Sequence, residues 1–542
     1  MKPLITGHAG DQPVVAKSSI LAMARTAANS LPANLSANRR VQATLSLLAT
    51  PTSRPLAELA AAITALPTGE RDYWIGTFYT LLLSSTIRRQ QATYFTPPYL
   101  AEAVLDLCVE AGFDIRKHRV LDPAAGGAAF LSNVAARAFA SGVTPNAILS
   151  RLRGVEIDAG LAEISEALVA SRLGLSQAPH LISVDDALSL QARAAYDLVV
   201  ANPPYGRVRA NDLPDERWRS IAHSGHINKY AVFTELCFRY AKSGGLIALV
   251  LPSSFRAGPL YDRMRTFVRA NGQILAIGSV PDRKRVFADV QQDISVLLVR
   301  KGAPHPIDAR VKFPTLSPLE PGAAAELKLS VEAGAPWPFP SGKGMKAGGA
   351  KLADYGVQAR AGYFVWNREQ DRLLERARKG AVPLVWAKNV KVGTLCRPAG
   401  KDGAKTDFVL FDGPSSAIIR SPAAVMQRTT NDKQPRRLVA AMVAPEVRKT
   451  WGGFVSENHT IVLVSEGARE LKLLVALLNT AAVDDRYRAV SGTAAVSVKL
   501  LRDLDLPPPD IFSEELRNND GDAEAAATVA YDRASRRAMG HG

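Results

Sequence analysis

Asp197-Leu198-Val199-Val200-Ala201-Asn202-Pro203-Pro204-Tyr205-Gly206 is the stretch on which the reading of this 542-residue chain turns. Leu198 to Ala201 is an unbroken apolar run of strand length, and a strand without polar alternation is one covered on both faces, as in a parallel sheet. A stiff polar turn follows it. Two consecutive prolines fix φ and remove two backbone donors, so Asn202 is pushed to an extended conformation and the carbonyls of residues 202 and 203 are left as acceptors. A carboxamide oxygen, a main-chain carbonyl and a phenol ring are thereby gathered at the carboxyl end of a strand, the edge of an open α/β sheet where ligands bind. Two acceptors in one plane suit an exocyclic amino group with two hydrogens to give, and Tyr205 offers a face to a flat heterocycle. The plain alternative is a proline-stiffened loop with a packed tyrosine. Asn or Asp before two prolines and an aromatic arises by chance in roughly one chain in a hundred of this length, so the turn needs support from its neighbours.

Upstream, Val120-Leu121-Asp122-Pro123-Ala124-Ala125-Gly126-Gly127-Ala128-Ala129-Phe130-Leu131 reads as a strand, a small-residue turn and a helix start. Small residues let a ligand approach the backbone, and the Asp122 carboxylate sits at the strand tip. About thirty residues on, Leu152 to Asp158 forms the next strand, with an acid at its end as needed to accept from a ribose diol. Asp185-Asp186-Ala187-Leu188 ends a further strand with acids able to accept from an amino group. Each acid taken alone reads equally well as a helix cap. Three successive strands ending in acids, followed by the Asn-Pro-Pro-Tyr strand, make a nucleoside pocket the better account.

Around this centre the chain divides by composition. Residues 1 to 40 are rich in Ala, Ser, Asn and Pro and read as a mobile or loosely helical arm, while Val41 to Gln91 carries apolar residues at helical spacing, giving an N-terminal arm and cap over 1–90. A break at Thr93-Tyr94-Phe95-Thr96-Pro97-Pro98-Tyr99 precedes a helix from Leu100 to Val109, with the prolines in or near its first turn. Tyr230 to Leu236 is helical, Gly244 to Pro252 is a turn into a buried strand, and Ile294 to Val299, after Arg283-Lys284-Arg285-Val286-Phe287, alternates and ends the sheet. A first α/β domain then spans 91–305, a Gly/Pro/Ala-rich linker or insertion 306–350, a second domain 351–512 and a polar, poorly ordered tail 513–542. Leu471 to Leu478 is helical, and no repeat is found.

The net charge of +16 calls for a polyanionic partner, with nucleic acid favoured over membrane because no amphipathic anchor stands out. Residues 310 to 460 hold 24 Lys and Arg against 13 Asp and Glu, so much of the basic excess lies there. Arg436-Arg437 and Arg448-Lys449 read as phosphate contacts in preference to a solvated face. Cys108, Cys237 and Cys396 form no CxxC or Cys/His cluster, which points to a reducing compartment and to no metal site. Without a leader pattern or an apolar run of spanning length, a cytoplasmic protein is expected.

These residues in this order resemble adenine-N6 DNA methyltransferases of the γ class, and among them the type II modification enzymes of the TaqI kind, over roughly residues 90 to 510. The resemblance implies an α/β fold: a Rossmann-like S-adenosylmethionine-dependent domain with a mixed, mostly parallel sheet, followed by a mixed α/β target-recognition domain. It places cofactor contacts on Thr96, Asp122, Ala124, Gly126, Glu156, Ile157, Asp186 and Phe233, the catalytic turn on Asn202, Pro203, Pro204 and Tyr205, and a second aromatic against an extruded base on Phe287. Arg397, Arg428 and Lys433 are expected DNA contacts. S-Adenosyl-L-methionine is the implied cofactor and double-stranded DNA the implied partner. A monomer is expected; any cognate restriction endonuclease would be encoded separately, and whether one exists is not encoded in this chain. One departure is that Ala128 stands where family members often have the second glycine of Gly-x-Gly, which implies altered packing with binding retained.

Asn-Pro-Pro-Tyr also occurs in proteins resembling glutamine-N5 methyltransferases of release factors and guanine-N2 methyltransferases of ribosomal RNA. The Phe-Thr-Pro-Pro start, Phe287 and the long basic second half favour DNA, and Asn in place of Ser at 202 favours adenine over cytosine. A fused nuclease would need an acid followed by an acid-x-Lys element in a dedicated domain, and Glu326-Leu327-Lys328 alone does not make one. A DNA-binding subunit that has lost transfer is the non-enzyme alternative.

Overall fold

The computed structural model describes residues 17–84, 95–209, 213, 218, 221, 226–280, 293–317, 322–330, 332–340, 348–396, 407–429, 434–491 and 495–538. The chain forms two compact units, Met1–Leu251 with Thr266–Lys328, and Pro252–Arg265 with Leu329–Gly542.

The first unit is built on a nine-stranded sheet of β1 (Val120–Asp122), β2 (Leu152–Glu156), β3 (Ile182–Val184), β4 (Tyr196–Ala201), β7 (Ala241–Pro252), β8 (Gly272–Val280), β9 (Ile294–Lys301), β10 (Arg310–Thr315) and β11 (Gly322–Lys328), in the order β11-β10-β8-β9-β7-β4-β1-β2-β3. β5 (Arg207–Arg209) and β6 (His226–Asn228) form a separate two-stranded ribbon. β1 pairs in parallel with both β2 and β4, β2 with β3, and β4 with β7. Leu198, Val199, Val200 and Ala201 are fully buried, as an unbroken apolar strand in the middle of such a sheet must be. The chain leaves β1 toward β3 and then returns to the other side of β1 as β4, so the strand order reverses between β1 and β4. A crevice opens at such a reversal.

Three expectations are corrected in this sheet. Ile294 to Val299 neither alternates nor ends it: these residues are buried throughout, and β9 lies between β8 and β7. Its antiparallel partner β8, Gly272–Val280, was not read from the sequence. The expected linker from 306 contains β10 and β11, where Val311 and Phe313 are buried and Arg310 and Lys312 exposed. β10 thus has the period of 2 and pairs antiparallel with the exposed β11 in an edge hairpin, which the surrounding prolines and glycines disguise.

Helices lie on the sheet: α5 (Pro98–Glu110), α6 (Ala129–Ala140), α7 (Pro145–Leu149), α8 (Ala159–Leu173) and α9 (Lys229–Tyr240), and α10 (Asp262–Asn271) precedes β8 in the chain. They follow α1 (Lys17–Asn29), α2 (Ala37–Leu45), α3 (Arg54–Thr64) and α4 (Thr68–Leu81). In place of a loose arm, α1 carries a buried stripe of Ile20, Ala24 and Ala27, and α1 to α4 share one core with Phe95 and with Leu161, Ile164 and Leu168 of α8. The spacing of 20, 24 and 27 is that of one helix face, and alanines supply too little apolar contrast for it to stand out in the sequence.

The second unit holds an antiparallel sheet of β12 (Gln358–Ala361), β13 (Ala423–Gln427), β14 (Ala440–Met442) and β15 (Thr460–Val464), ordered β12-β15-β13-β14. Ala424 and Met426 face a helical layer, while Val425 faces a second core with Val385, Val390 and Phe454. The layer comprises α11 (Ala468–Leu478), α12 (Ala481–Val490), α13 (Pro509–Asn518) and α14 (Ala523–Ala538). The polar tail is therefore ordered: Ala526, Ala527, Ala530, Tyr531 and Ala534 are buried at helical spacing, and the Tyr531 hydroxyl donates to the Asp505 carbonyl at 2.9 Å. Among the described residues no helix is long and apolar enough to cross a membrane.

Candidate active site

The tips of β4, β1, β2 and β3 emerge from one edge because the four strands are adjacent and parallel, with Leu121 opposite Val199, Asp122 opposite Gly154 and Glu156 opposite Val184. Asn202, Asp122, Glu156 and Asp186 all lie on that edge or just past it.

The first turn is held by its own backbone. Asp122, buried at the end of β1, accepts the Ala124 amide at 3.0 Å, and the Ala125 amide donates to the Val155 carbonyl at 3.0 Å. Gly126 adopts a positive φ of 48° and donates to Glu156 Oε2 at 2.8 Å, while its carbonyl accepts from the Ser165 hydroxyl. Ala128 then caps α6 at φ 52°, a left-handed conformation in which a Cβ is strained and glycine is preferred. A Cβ at Gly127 would lie closer than 3.0 Å to the Phe95 ring, which rests directly on the turn. Phe95 was not singled out in the sequence, although a large aromatic before Thr-Pro-Pro and two glycines opposite it, at 76 and 127, were the signal available.

Glu156 is doubly occupied. Its Oε1 accepts the Asp158 amide at 3.0 Å and its Oε2 the Gly126 amide, so one carboxylate ties the β2 tip to the β1 turn. Each oxygen keeps a second lone pair for a diol. Burial pushes the Asp122 carboxyl up to about 8, opposed by the Ala124 amide and reinforced by the charge of Glu156. Burial also raises Glu156, against the pull of the Asp158, Gly126 and Ile157 amides. A buried acid with so raised a pKa is stabilised by a cation placed against it.

Four further residues are cofactor contacts expected from the sequence. Thr96 is buried one residue before Pro97, the N-cap of α5, whose first residue is Pro98. Ile157, beside Glu156, is 60 % exposed, a large apolar side chain available to a flat ligand. Asp186 accepts from the Leu188 amide at 3.0 Å and from the Ser189 hydroxyl at 3.4 Å. Phe233 is buried on α9. Trp218, which the sequence reading passed over, is fully buried and anchors the same loop by donating to the Leu188 carbonyl at 3.0 Å.

At the Asn-Pro-Pro-Tyr turn Pro203 is buried, Asn202 and Pro204 half-buried. The Tyr205 hydroxyl donates to Asn202 Oδ1 at 2.7 Å, and its ring meets Tyr230 edge-on, centroids 6.3 Å apart. This differs from the open carboxamide and free stacking face expected from the sequence. The ring is buried, and a buried phenol takes an acceptor; the carboxamide oxygen three residues back supplies one, and the Val250 carbonyl lies at 3.4 Å. Phe287, Arg397 and Lys433 lie outside the described residues. Arg428 is half-buried and its guanidinium donates to the Asn458 carbonyl at 3.2 Å, bracing the turn before β15. Arg437 is buried and Arg436 pairs with Glu524 at 3.0 Å, so this dipeptide is spent inside the unit and not on phosphate.

Residues 70–317 match the N-6 DNA Methylase family. This segment, just under half of the chain, carries that family's methylase domain. The methylase is also similar to the type II methyltransferase M.PstI of Providencia stuartii, 22% identical over 345 residues that cover 60% of this chain and 68% of that protein. Its similarity to the type II methyltransferase M.BsuBI of Bacillus subtilis is 22% over 478 residues, covering 77% of this chain and 88% of the other. The methylase is an α/β enzyme of the S-adenosylmethionine-dependent kind, and its acid-tipped edge, with Asp122 prepared for a cation and Ile157 uncovered, fits that cofactor.

Proposed function

We propose that this protein transfers a methyl group to N6 of adenine in duplex DNA after extruding the base, as the modification enzyme of a restriction-modification or phage-defence system. The observation that carries the reading is the placement of the Asn202-Pro203-Pro204-Tyr205 turn on the strand adjacent and parallel to the one ending in Asp122. S-Adenosylmethionine, when bound, supplies an electrophilic sulfonium methyl. Asp122 would face its cationic amino-acid end with Thr96, Ala124 and Gly126; Glu156 would accept from the ribose; Ile157, Asp186 and Phe233 would line the adenine.

Asn202 and the Pro203 carbonyl accept the two amine hydrogens of the target base. That acceptance favours a localised lone pair on a nitrogen whose pair is otherwise delocalised into the ring. No titrating base stands in the turn, so the proton leaves N6 after the new bond forms. For the base to reach this position, the Tyr205 hydroxyl shares or yields Asn202 Oδ1, and its ring becomes the stacking partner that offsets unstacking. The enzyme would work as a cytoplasmic monomer, with any partner endonuclease a separate chain. Incubation with radiolabelled S-adenosylmethionine and either duplex DNA or RNA tests the reading: label is expected in N6-methyladenine of DNA, and label confined to RNA or to protein refutes it.

A further inference from the structure

Helix α4 lies outside the acid-tipped edge, yet it reaches the residues that form it. The Tyr79 hydroxyl donates to Asp158 Oδ1 at 2.8 Å. Asp158 caps α8 by accepting the Leu161 amide at 2.9 Å, and its own amide donates to Glu156 Oε1 at 3.0 Å. The other Glu156 oxygen holds Gly126 at 2.8 Å. A continuous series therefore runs from Tyr79 through Asp158 and Glu156 to the first turn. The tyrosine is fully buried, and a Cβ at Gly160 would lie closer than 3.0 Å to its hydroxyl, so the ring rests on the first turn of α8. The same helix is tied to the opposite end of α8 by a second clamp, Arg172 Nε to Asp72 Oδ2 at 2.8 Å.

We propose that Tyr79 is a positioning residue for the cofactor pocket, fixing through Asp158 the strand end on which Glu156 and Ile157 are presented. The Asp72–Arg172 clamp at the far end holds the helices together without reaching that strand end. This inference rests on the cofactor site proposed above and deepens it. The hydroxyl orients an acid that is otherwise free to rotate away from its cap, and the strand end then presents both Glu156 oxygens in one fixed plane. A hydrogen bond to an ionised acid has the strength for the purpose, about tenfold or more in an equilibrium constant.

The test compares wild type with Tyr79→Phe, which keeps the ring and deletes the hydroxyl, with Gly160→Ala, which displaces the ring, and with Arg172→Met, which opens only the distal clamp. Each full-length chain is titrated calorimetrically with S-adenosylmethionine and with S-adenosylhomocysteine in the absence of DNA, and melted by heat. We expect Tyr79→Phe and Gly160→Ala to bind both compounds about tenfold more weakly. Tyr79→Phe should melt close to wild type and raise the KM for S-adenosylmethionine with kcat unchanged. Arg172→Met should melt lower and bind as wild type does. Wild-type affinity in Tyr79→Phe overturns the inference. So does a loss of affinity that merely tracks the fall in melting temperature across all three variants. A wild-type chain that binds neither compound contradicts the proposed function itself.

Discussion

Gly127→Ala is the smallest change that should disturb the first turn, and its size can be worked out from the packing. The Phe95 ring is wedged between two glycines on different elements: a Cβ at Gly76 on α4 would lie 2.7 Å from Phe95 Cε1, and one at Gly127 also falls inside the 3.0 Å limit at which something must move. The ring therefore cannot retreat from the new methyl without striking α4. Overpacking a filled site costs about 1–3 kcal/mol, and with both walls made of backbone the upper end, about 3 kcal/mol, applies here. Against a typical domain stability of about 5–15 kcal/mol this is a large fraction. If the turn gives way in place of the ring, the Gly126 amide leaves Glu156 and cofactor affinity falls as well. Urea unfolding followed by fluorescence, with calorimetric binding of S-adenosylhomocysteine, separates the two responses. The double variant Phe95→Leu/Gly127→Ala, with a slimmer side chain in the wedge, should recover part of the loss. A Gly127→Ala protein with the wild-type urea midpoint and wild-type affinity would refute the reasoning.

Ala128→Gly removes a Cβ from a left-handed residue and should raise stability by about 0.5–1 kcal/mol, seen as a higher urea midpoint with binding unchanged. Asp122 carries a pKa raised to about 8 by burial. Stability associated with its neutral form is complete below the unfolded value near pH 4 and is lost as pH rises through about 8. The melting temperature of the ligand-free protein should therefore fall over that window. Because a cationic cofactor favours the carboxylate, its affinity should rise with pH, by at most about tenfold per unit, and level off above pH 8, with proton release detectable by calorimetry in buffers of different ionisation enthalpy. Ending the chain after Asp520 removes α14 and uncovers the surface that Ala526, Ala527, Ala530, Tyr531 and Ala534 bury; a loss of about 5 kcal/mol is expected from that area, read by urea unfolding.

The centre of the first unit is legible in the sequence because its signals are strong ones. Leu198 to Ala201 leaves no polar position for a solvent face, and acids at the ends of successive apolar runs mark where those strands stop. The edges of the sheet are not. β10 alternates correctly, but prolines at 314, 318 and 321 break the run, the exposed Arg310 and Lys312 look like part of a basic linker, and β11 is exposed over residues 324–328 and so offers no alternation to read. Helices α1 and α14 bury alanines, whose small transfer free energy leaves a faint stripe among Ser, Asp and Arg. In the site, side-chain chemistry could be placed and side-chain occupancy could not. Nothing in Asn-Pro-Pro-Tyr says that the phenol turns back on the carboxamide, nor in Val-Glu-Ile-Asp that both Glu156 oxygens receive backbone amides, since each depends on partners brought together only by the fold. Arg428 and Arg437 show the same limit for charge, because a basic residue in a basic region can be a structural brace.

Asn202 is proposed to act on the base and the acid-tipped edge on the cofactor. The direct measurement is to prepare Asn202→Ala and determine, on the same sample, its affinity for S-adenosylmethionine and its rate of forming N6-methyladenine in duplex DNA. Affinity within about threefold of wild type with turnover reduced by at least about a hundredfold is predicted, since the role proposed for the carboxamide is toward the base and not the cofactor. Near-normal methylation by this variant would contradict the central claim.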